Sequence, residues 1–195
     1  MTNFKSRPLN VGGPVVIWKD LFTAKELDAI VAHGDALMPM RAEIVGRQII
    51  VSHGTRITRV AWMERKPEIA WLYARLEEIV LAINREFYSF DLYGLVEAFQ
   101  YTVYDDKEGG HYDWHVDLGG HDVQPRKISM SLQLTDSSEY QGCDLVLQAG
   151  SGHQTAERAR GTLIAFPSYV LHRVTPIESG VRKSLVIWVS GPDFR

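Results

Sequence analysis

The chain reads as mainly β with N-terminal helices: two or more α-helices buttressing an antiparallel sandwich or jelly roll. Three observations predict this. Apolar residues recur at helical spacing only before about residue 90, short β-like runs follow one another after it, and Gly-, Asp- and Pro-bearing turns separate those runs. At 195 residues, 45% apolar and 23% charged, the chain is long enough for one domain with a sizeable core. No break in composition divides it. Residues 1–195 are therefore expected to form a single domain, with 1–90 as helical support and 91–195 as the jelly-roll core.

The elements follow in order. "PVVIW" (14–18) is a short strand. Thr23 and Glu26 make a capping-box pattern, and Leu27, Ile30, Val31 and Leu37 follow at near-helical spacing. From Met40 to Thr58, including "VGRQIIVSHGTR", there is no clean period. That stretch is a loop or a weak hairpin, and 40–58 is the candidate lid. Pro67 suits the first turn of a second helix, in which Ile69, Leu72, Leu76, Ile79, Val80 and Ile83 form one apolar stripe ending near Arg85. Then come "LVEAFQYTVY", "HYDWHVD", "RKISMSLQLT", "CDLVLQ", "GTLIAF" and "RKSLVIWVS", separated by "DDKEGG", "LGGHDVQP" and "QAGSGH".

A net charge of -3 leaves no footprint for nucleic acid or an acidic membrane surface, and no apolar run is long enough for a transmembrane helix. Cys143 is the only cysteine, so an intramolecular disulfide is excluded. The opening "MTNFKSRPLN" has no apolar leader, and a reducing, cytoplasmic setting is expected.

The chemistry concentrates in "HYDWHVDLGGH" (111–121), which holds three of the seven histidines. On a strand, residues i and i+2 share a face, so His-x-Asp aims an imidazole and a carboxylate at one point. Composition alone gives about 0.4 such triplets by that spacing rule, and the chain has three. His33 and Asp35 fall on the first helix, where that spacing does not share a face. His111, Asp113, His115 and Asp117 share one parity, so parity alone does not choose between the other two pairs. The same alternation also fits a solvated polar face over an apolar one, with Trp114 on the core side. "FPSYVLHRVTP" supplies His172, which on its own also suits a core or surface histidine. "GVRKSLVIWVS" places Arg182 and Ser184 on one strand face, a good clamp for a carboxylate. Two histidines and a carboxylate with open coordination positions make the facial triad of non-haem Fe(II) oxygenases.

The region from about 96 to 191 resembles the 2-oxoglutarate/Fe(II)-dependent dioxygenases, specifically the prolyl 4-hydroxylase-like group. "QYTVYDDKEGGHYDWHVD" is similar to that group's signature through Gln100, Tyr104, Gly109, Gly110, Tyr112, His115 and Asp117. "RKISMSLQLTDSSEYQGCDLVL" resembles its next block, an Arg-initiated strand, an acidic turn and a Gly-Gly pair. "GTLIAFPSYVLHRVTPIESGVRKSLVIW" resembles the last, with the distal histidine and the cosubstrate-binding basic residue. "RVAWM" and "AINREFYSFDLYG" fit the helical N-terminal support. Two departures stand out: Cys143 replaces the second glycine of the pair, and Gln133 occupies a position where some relatives have a 2-oxoglutarate-binding tyrosine. Asp117 disfavours a halogenase, which needs that position vacant.

The resemblance implies a double-stranded β-helix core with Fe(II) bound by His115, Asp117 and His172. It implies 2-oxoglutarate held by Arg182 with Ser184, and by Tyr104 or Gln133, and O2 as the second cosubstrate. Ascorbate would keep the iron reduced. The implied reaction is hydroxylation of an unactivated C–H bond, on a prolyl residue of a peptide or protein, with release of succinate and CO2. Substrate contacts are expected from His111, Asp113, Arg56 and Arg59, and His121 is a further candidate. The alternatives are a hydroxylase of a free amino acid or other small metabolite, and a non-catalytic jelly-roll binding module. The acidic balance argues against a nucleic-acid demethylase.

Overall fold

A computed structural model of the chain describes residues 4–42, 56–119 and 125–194. The N-terminal part contributes β1 (Leu9–Gly12), β2 (Val15–Trp18), α1 (Ala24–Ala36), β3 (Met40–Arg41), β4 (Arg56–Ile57), β5 (Arg59–Met63) and α2 (Ala70–Ile83). The rest contributes β6 (Phe99–Asp105), β7 (His111–His115), β8 (Arg126–Gln133), β9 (Tyr140–Gly142) and β10 (Leu145–Ala149). It ends with β11 (Gly152–Thr155), β12 (Leu163–Pro167), β13 (His172–Val174) and β14 (Ile177–Ser190). Among the described residues no helix is long and apolar enough to cross a membrane.

The capping box at the start of α1 forms as the sequence predicts. Thr23 Oγ1 accepts from the Glu26 amide, while Glu26 Oε2 accepts from the Thr23 amide at 2.7 Å. Gly34 lets this helix lie directly on β6, since a Cβ there would meet the Tyr101 ring at 2.5 Å. Next to it Asp35 accepts from Tyr101 Oη at 2.8 Å and from Lys183 Nζ at 2.7 Å, which ties α1 to β6 and β14. Pro67 opens a 3-10 turn (Pro67–Ile69) that leads into α2, and the whole predicted stripe of Ile69, Leu72, Leu76, Ile79, Val80 and Ile83 is buried. The helix ends at Ile83 and continues as a π-helical turn, Asn84–Tyr88.

The strands form two antiparallel sheets. The larger runs β1-β2-β12-β8-β14-β6-β5-β3, with β9 pairing the first part of β14; the smaller runs β11-β10-β13-β7-β4. Both helices pack on the outer face of the larger sheet, against Phe99, Tyr101, Ile128, Leu132, Leu185, Ile187 and Val189. A second cluster, which includes Tyr104, Tyr140, Leu147, Phe166 and Val174, fills the space between the sheets. Mainly β with helical support is therefore the observed architecture, and strands from both sides of residue 90 complete the sheets.

Three local expectations are corrected. "RVAWM" is strand β5 and not helix: it pairs with β6 from Arg59↔Val103 to Met63↔Phe99, burying Ala61 and Met63 on one face. "QAGSGH" is not all turn, because Gly152–Thr155 pairs back on β10 and leaves only Gly150 and Ser151 at the hairpin tip. Thirdly, β7 stops at His115, so Asp117 lies beyond the strand and is fixed by its amide donating to Ser168 O at 2.9 Å.

Candidate metal centre

Strand alternation builds the floor of the site. On β14, Leu185, Ile187 and Val189 go to the helix layer, while Arg182, Ser184, Val186 and Trp188 line a cavity of about 1050 Å³ between the sheets. On β8, Ser129 and Ser131 line the same cavity, and on β6 so do Gln100 and Tyr104. An ordinary half-apolar strand pattern thus supplies a polar inner wall.

The other wall comes from β7 and β13, where His115 is directly paired with His172. Their rings lie 4.1 Å apart by centroid. Asp117 completes the group: its Oδ1 is 3.7 Å from His115 Nε2 and its Oδ2 3.4 Å from His172 Nε2. One ligand atom from each of the three lies within 4.8 Å of the others. Each imidazole is oriented by its far nitrogen. His115 Nδ1 is 2.7 Å from Asp113 O and His172 Nδ1 is 2.9 Å from Val170 O. A carbonyl only accepts, so each Nδ1 carries a hydrogen, and in the neutral form each Nε2 presents a lone pair to the centre. Ser129 Oγ donates to Asp117 Oδ2 at 2.8 Å and also contacts Ser168 Oγ at 3.0 Å.

The charges follow from this packing. Burial, reinforced by His172, lowers the His115 pKa to about 4, so this imidazole is neutral. Burial alone would raise the Asp117 pKa, but the two imidazoles and the Trp188 indole hold it well below the usual carboxylate range. Burial works to lower His172, yet the Asp117 carboxylate outweighs it and leaves the pKa raised.

At the other end of the cavity Arg182 is only 2% exposed. Its Nε and Nη2 donate to Gln133 Oε1 at 3.2 and 3.0 Å, and its Cζ lies 5.7 Å from the Tyr104 ring centroid. Among the described residues no carboxylate pairs with it. Burial pushes the Tyr104 hydroxyl up to about 12, so it stays a protonated donor. Ser184 is adjacent on the same face and buried.

The substrate candidates separate. Arg56, on β4, lines the cavity, and its partner across the pairing is Tyr112. Arg59 instead binds Asp105 at 2.8 Å and Glu108 at 3.3 Å, away from the cavity. His111 and Asp113 do not line it either. His111 Nδ1 contacts Gly109 O at 2.9 Å, and the exposed Asp113 accepts from the Trp114 amide. The cause is a bulge: three residues of β7, Tyr112 to His115, pass while β13 advances two, Val174 to His172. Parity flips, so Tyr112 joins His115 on the inner face and Trp114 turns outward. There Trp114 packs against His153 and Arg173 instead of the core. His121 and residues 43–55 of the candidate lid lie outside the described residues.

Sequence reasoning assigned no site role to three contributors, although Tyr112 is part of the signature it quoted. Tyr112 stacks on His115, centroids 3.5 Å apart and planes 14° apart. Ser129 holds the carboxylate, and Trp188 lies against it beneath Arg126, whose Cζ is 3.7 Å from its ring centroid. Ser129 was within reach of a reading by face, since it shares the parity of Gln133. The inward turn of Tyr112 had no such signal.

Comparison with known proteins now places the region. Residues 99–190 match the model of the 2OG-Fe(II) oxygenase superfamily. That match spans a little under half of the chain and contains the His115, Asp117 and His172 cluster. A PKHD-type hydroxylase of Alteromonas mediterranea is 35% identical over 88 residues, 42% of this chain and 39% of that protein. One from Teredinibacter turnerae is 29% identical over 175 residues, covering 84% of this chain and 76% of its own. Other PKHD-type hydroxylases are matched over only 36% and 44% of their lengths. The fold is that of a Pseudomonas putida prolyl-4-hydroxylase, with a TM-score of 0.70 at 21% identity over 93% of this chain and 94% of that one. A Trichoplax adhaerens prolyl hydroxylase, solved with a hypoxia inducible factor peptide fragment, has a TM-score of 0.74 at 16% identity, covering 92% and 84%.

The matched family model implies Fe(II), 2-oxoglutarate and O2, and the donor set fits them. Two neutral imidazole nitrogens and an ionised carboxylate are the ligand types that ferrous iron takes, with room left for other ligands. A buried guanidinium that donates to the neutral Gln133 amide, and pairs with no carboxylate among the described residues, suits an incoming carboxylate.

Proposed function

We propose that the chain is an Fe(II)/2-oxoglutarate-dependent hydroxylase of an unactivated C–H bond, acting on a prolyl residue of a peptide or protein. The observation that carries this is the presence in one cavity of the His115–Asp117–His172 cluster and, separate from it, a buried Arg182 that pairs with no carboxylate among the described residues. His115, Asp117 and His172 would hold the iron, and Arg182 with Ser184 the far carboxylate of 2-oxoglutarate, with Tyr104 and Gln133 beside them. Bound there, iron and 2-oxoglutarate supply the oxidising power that turns O2 into a C–H hydroxylation, releasing succinate and CO2.

The protein's own part is position and protection. Gln133 occupies one edge of the Arg182 fork and so orients the other edge. The Tyr104 hydroxyl, kept protonated by burial, is a neutral donor beside it. Asp113 O and Val170 O fix the imidazole tautomers, while Ser129 fixes the carboxylate rotamer, so the donors need little rearrangement on loading. Phe166 and Tyr112 flank the imidazoles and keep bulk water from them.

A peptide substrate is favoured by the size of the cavity, about 1050 Å³, which exceeds what a single amino acid fills. The named peptide complex of the Trichoplax adhaerens neighbour agrees with that reading. The test is to load the purified chain with Fe(II) and supply 2-oxoglutarate, O2, ascorbate and proline-containing peptides. One succinate per 16-dalton gain on a peptide is expected. Coupled turnover of free amino acids alone would transfer the reading to a small-metabolite hydroxylase, and no turnover of either class would remove it.

A further inference from the structure

Among the described residues, the charges of the cavity do not balance without an acidic ligand. On the functional reading above, a ferrous ion, Asp117, Arg182 and the 2-oxoglutarate dianion sum to zero. Arg126 is neutralised by Glu97, which takes Nε at 2.7 Å and accepts from Nη2 as well. Two cations remain among the described lining residues, Arg41 and Arg56. Arg41 is exposed, where water screens it. Arg56 is half-buried, and its surroundings are neutral. Nη2 donates to Gln100 Oε1 at 2.8 Å, Cζ lies 4.7 Å from the Tyr112 ring centroid, and Nε is buried without a hydrogen bond. Among the described residues it has no acidic partner.

From this arrangement we infer that Arg56 is a substrate-recognition residue, and that the substrate carries a carboxylate close to the carbon that is oxidised. A guanidinium held flat by a π face and one amide oxygen, with donors to spare, is prepared for a bidentate anion. The amide that holds Arg56 is separate from the one that holds Arg182, although the Tyr104 hydroxyl feels both cations. Gln100 pairs with Val186, four residues from Arg182 along β14, which is roughly 13 Å at the usual rise of a strand. Arg56 is also close to the reacting centre, because Tyr112 lies between Arg56 and His115, stacked on the latter at 3.5 Å. This inference rests on the hydroxylase reading for its location but concerns binding, so it is tested without turnover.

The carboxylate has two sources, an acidic residue next to the target or the α-carboxylate of a chain terminus or free amino acid. The experiment separates them. Anaerobic protein loaded with Fe(II) and 2-oxoglutarate is titrated calorimetrically with capped proline peptides carrying Asp or Glu at each flanking position, with their Asn and Gln counterparts, with the same peptides uncapped at the C-terminus, and with free amino acids. At least one carboxylate ligand should bind about 10- to 100-fold tighter than its amide counterpart, the range of a charge-assisted pair. Arg56→Met should abolish that ratio by weakening only the acidic ligand, and Arg56→Lys should retain part of it. Equal binding of acids and amides by the wild type, a preference that survives in Arg56→Met, or no acid-selective binding by any ligand would overturn the inference. Acid-selective binding without succinate or a 16-dalton gain would leave it standing and remove the hydroxylase reading.

Discussion

Tyr112 lies face to face with His115, their ring centroids 3.5 Å apart and their planes 14° apart, though the two residues have opposite parity in the sequence. The bulge in β7 produces this, and the stack fixes the imidazole from the side its Nδ1 hydrogen bond leaves open. Aromatic pairs of this kind contribute about 0.5–1.5 kcal/mol. Tyr112→Leu should therefore weaken Fe(II) or Co(II) binding by about 2- to 10-fold, while Tyr112→Phe stays near wild type. Equilibrium metal titration of the three proteins checks this.

Ser129 acts on the same centre through Asp117. Its hydroxyl is the side-chain donor to Oδ2, and the second contact to Ser168 keeps it in place. Ser129→Ala should lower metal affinity by about 10- to 100-fold, the usual effect of losing a group that orients a ligand, with Ser129→Thr partly rescuing it. An unchanged affinity in Ser129→Ala would show that the carboxylate needs no such support.

Protons compete with the metal at one imidazole only. Asp117 raises the His172 pKa against the effect of burial, so this imidazole keeps its second proton to higher pH than His115, which burial lowers to about 4. Metal must displace the His172 proton, so affinity should rise with pH through the His172 titration and level off above it. Near neutral pH, calorimetry in two buffers of different ionisation enthalpy should report no more than one proton released per metal, from His172. Release of two would contradict the neutral state of His115.

Far from the site, Gly34 is the contact between α1 and β6. Gly34→Ala would drive a methyl into the Tyr101 ring, a 2.5 Å approach. A loss of about 1–3 kcal/mol in denaturant unfolding is expected, the cost of overpacking, with metal affinity unchanged.

What the sequence made legible was whatever one face of one element decides. The stripe of α2 and the alternation of β8 and β14 are local patterns, and both lie where periodicity places them. Arg182 and Ser184 could be paired by parity alone. The pairing of β5 with β6 was not legible, because "RVAWM" is five residues long and its partner is forty positions away. Nor was the bulge, which leaves no mark in "HYDWHVD". It reversed the roles expected of His111 and Asp113 on one side and of Tyr112 on the other. The surroundings of Arg59 were not legible for a related reason: only the fold reveals its ion pairs with Asp105 and Glu108.

The central claim is that His115, Asp117 and His172 bind one ferrous ion, and that Arg182 receives the cosubstrate's distal carboxylate. Anaerobic titration of wild type, Asp117→Ala and Arg182→Met with Fe(II), then with 2-oxoglutarate, tests both parts at once. The account predicts one Fe(II) per wild-type chain, loss of that binding in Asp117→Ala, and normal iron binding but 2-oxoglutarate affinity weakened about 10- to 100-fold in Arg182→Met. Iron bound as tightly by Asp117→Ala as by the wild type would contradict it.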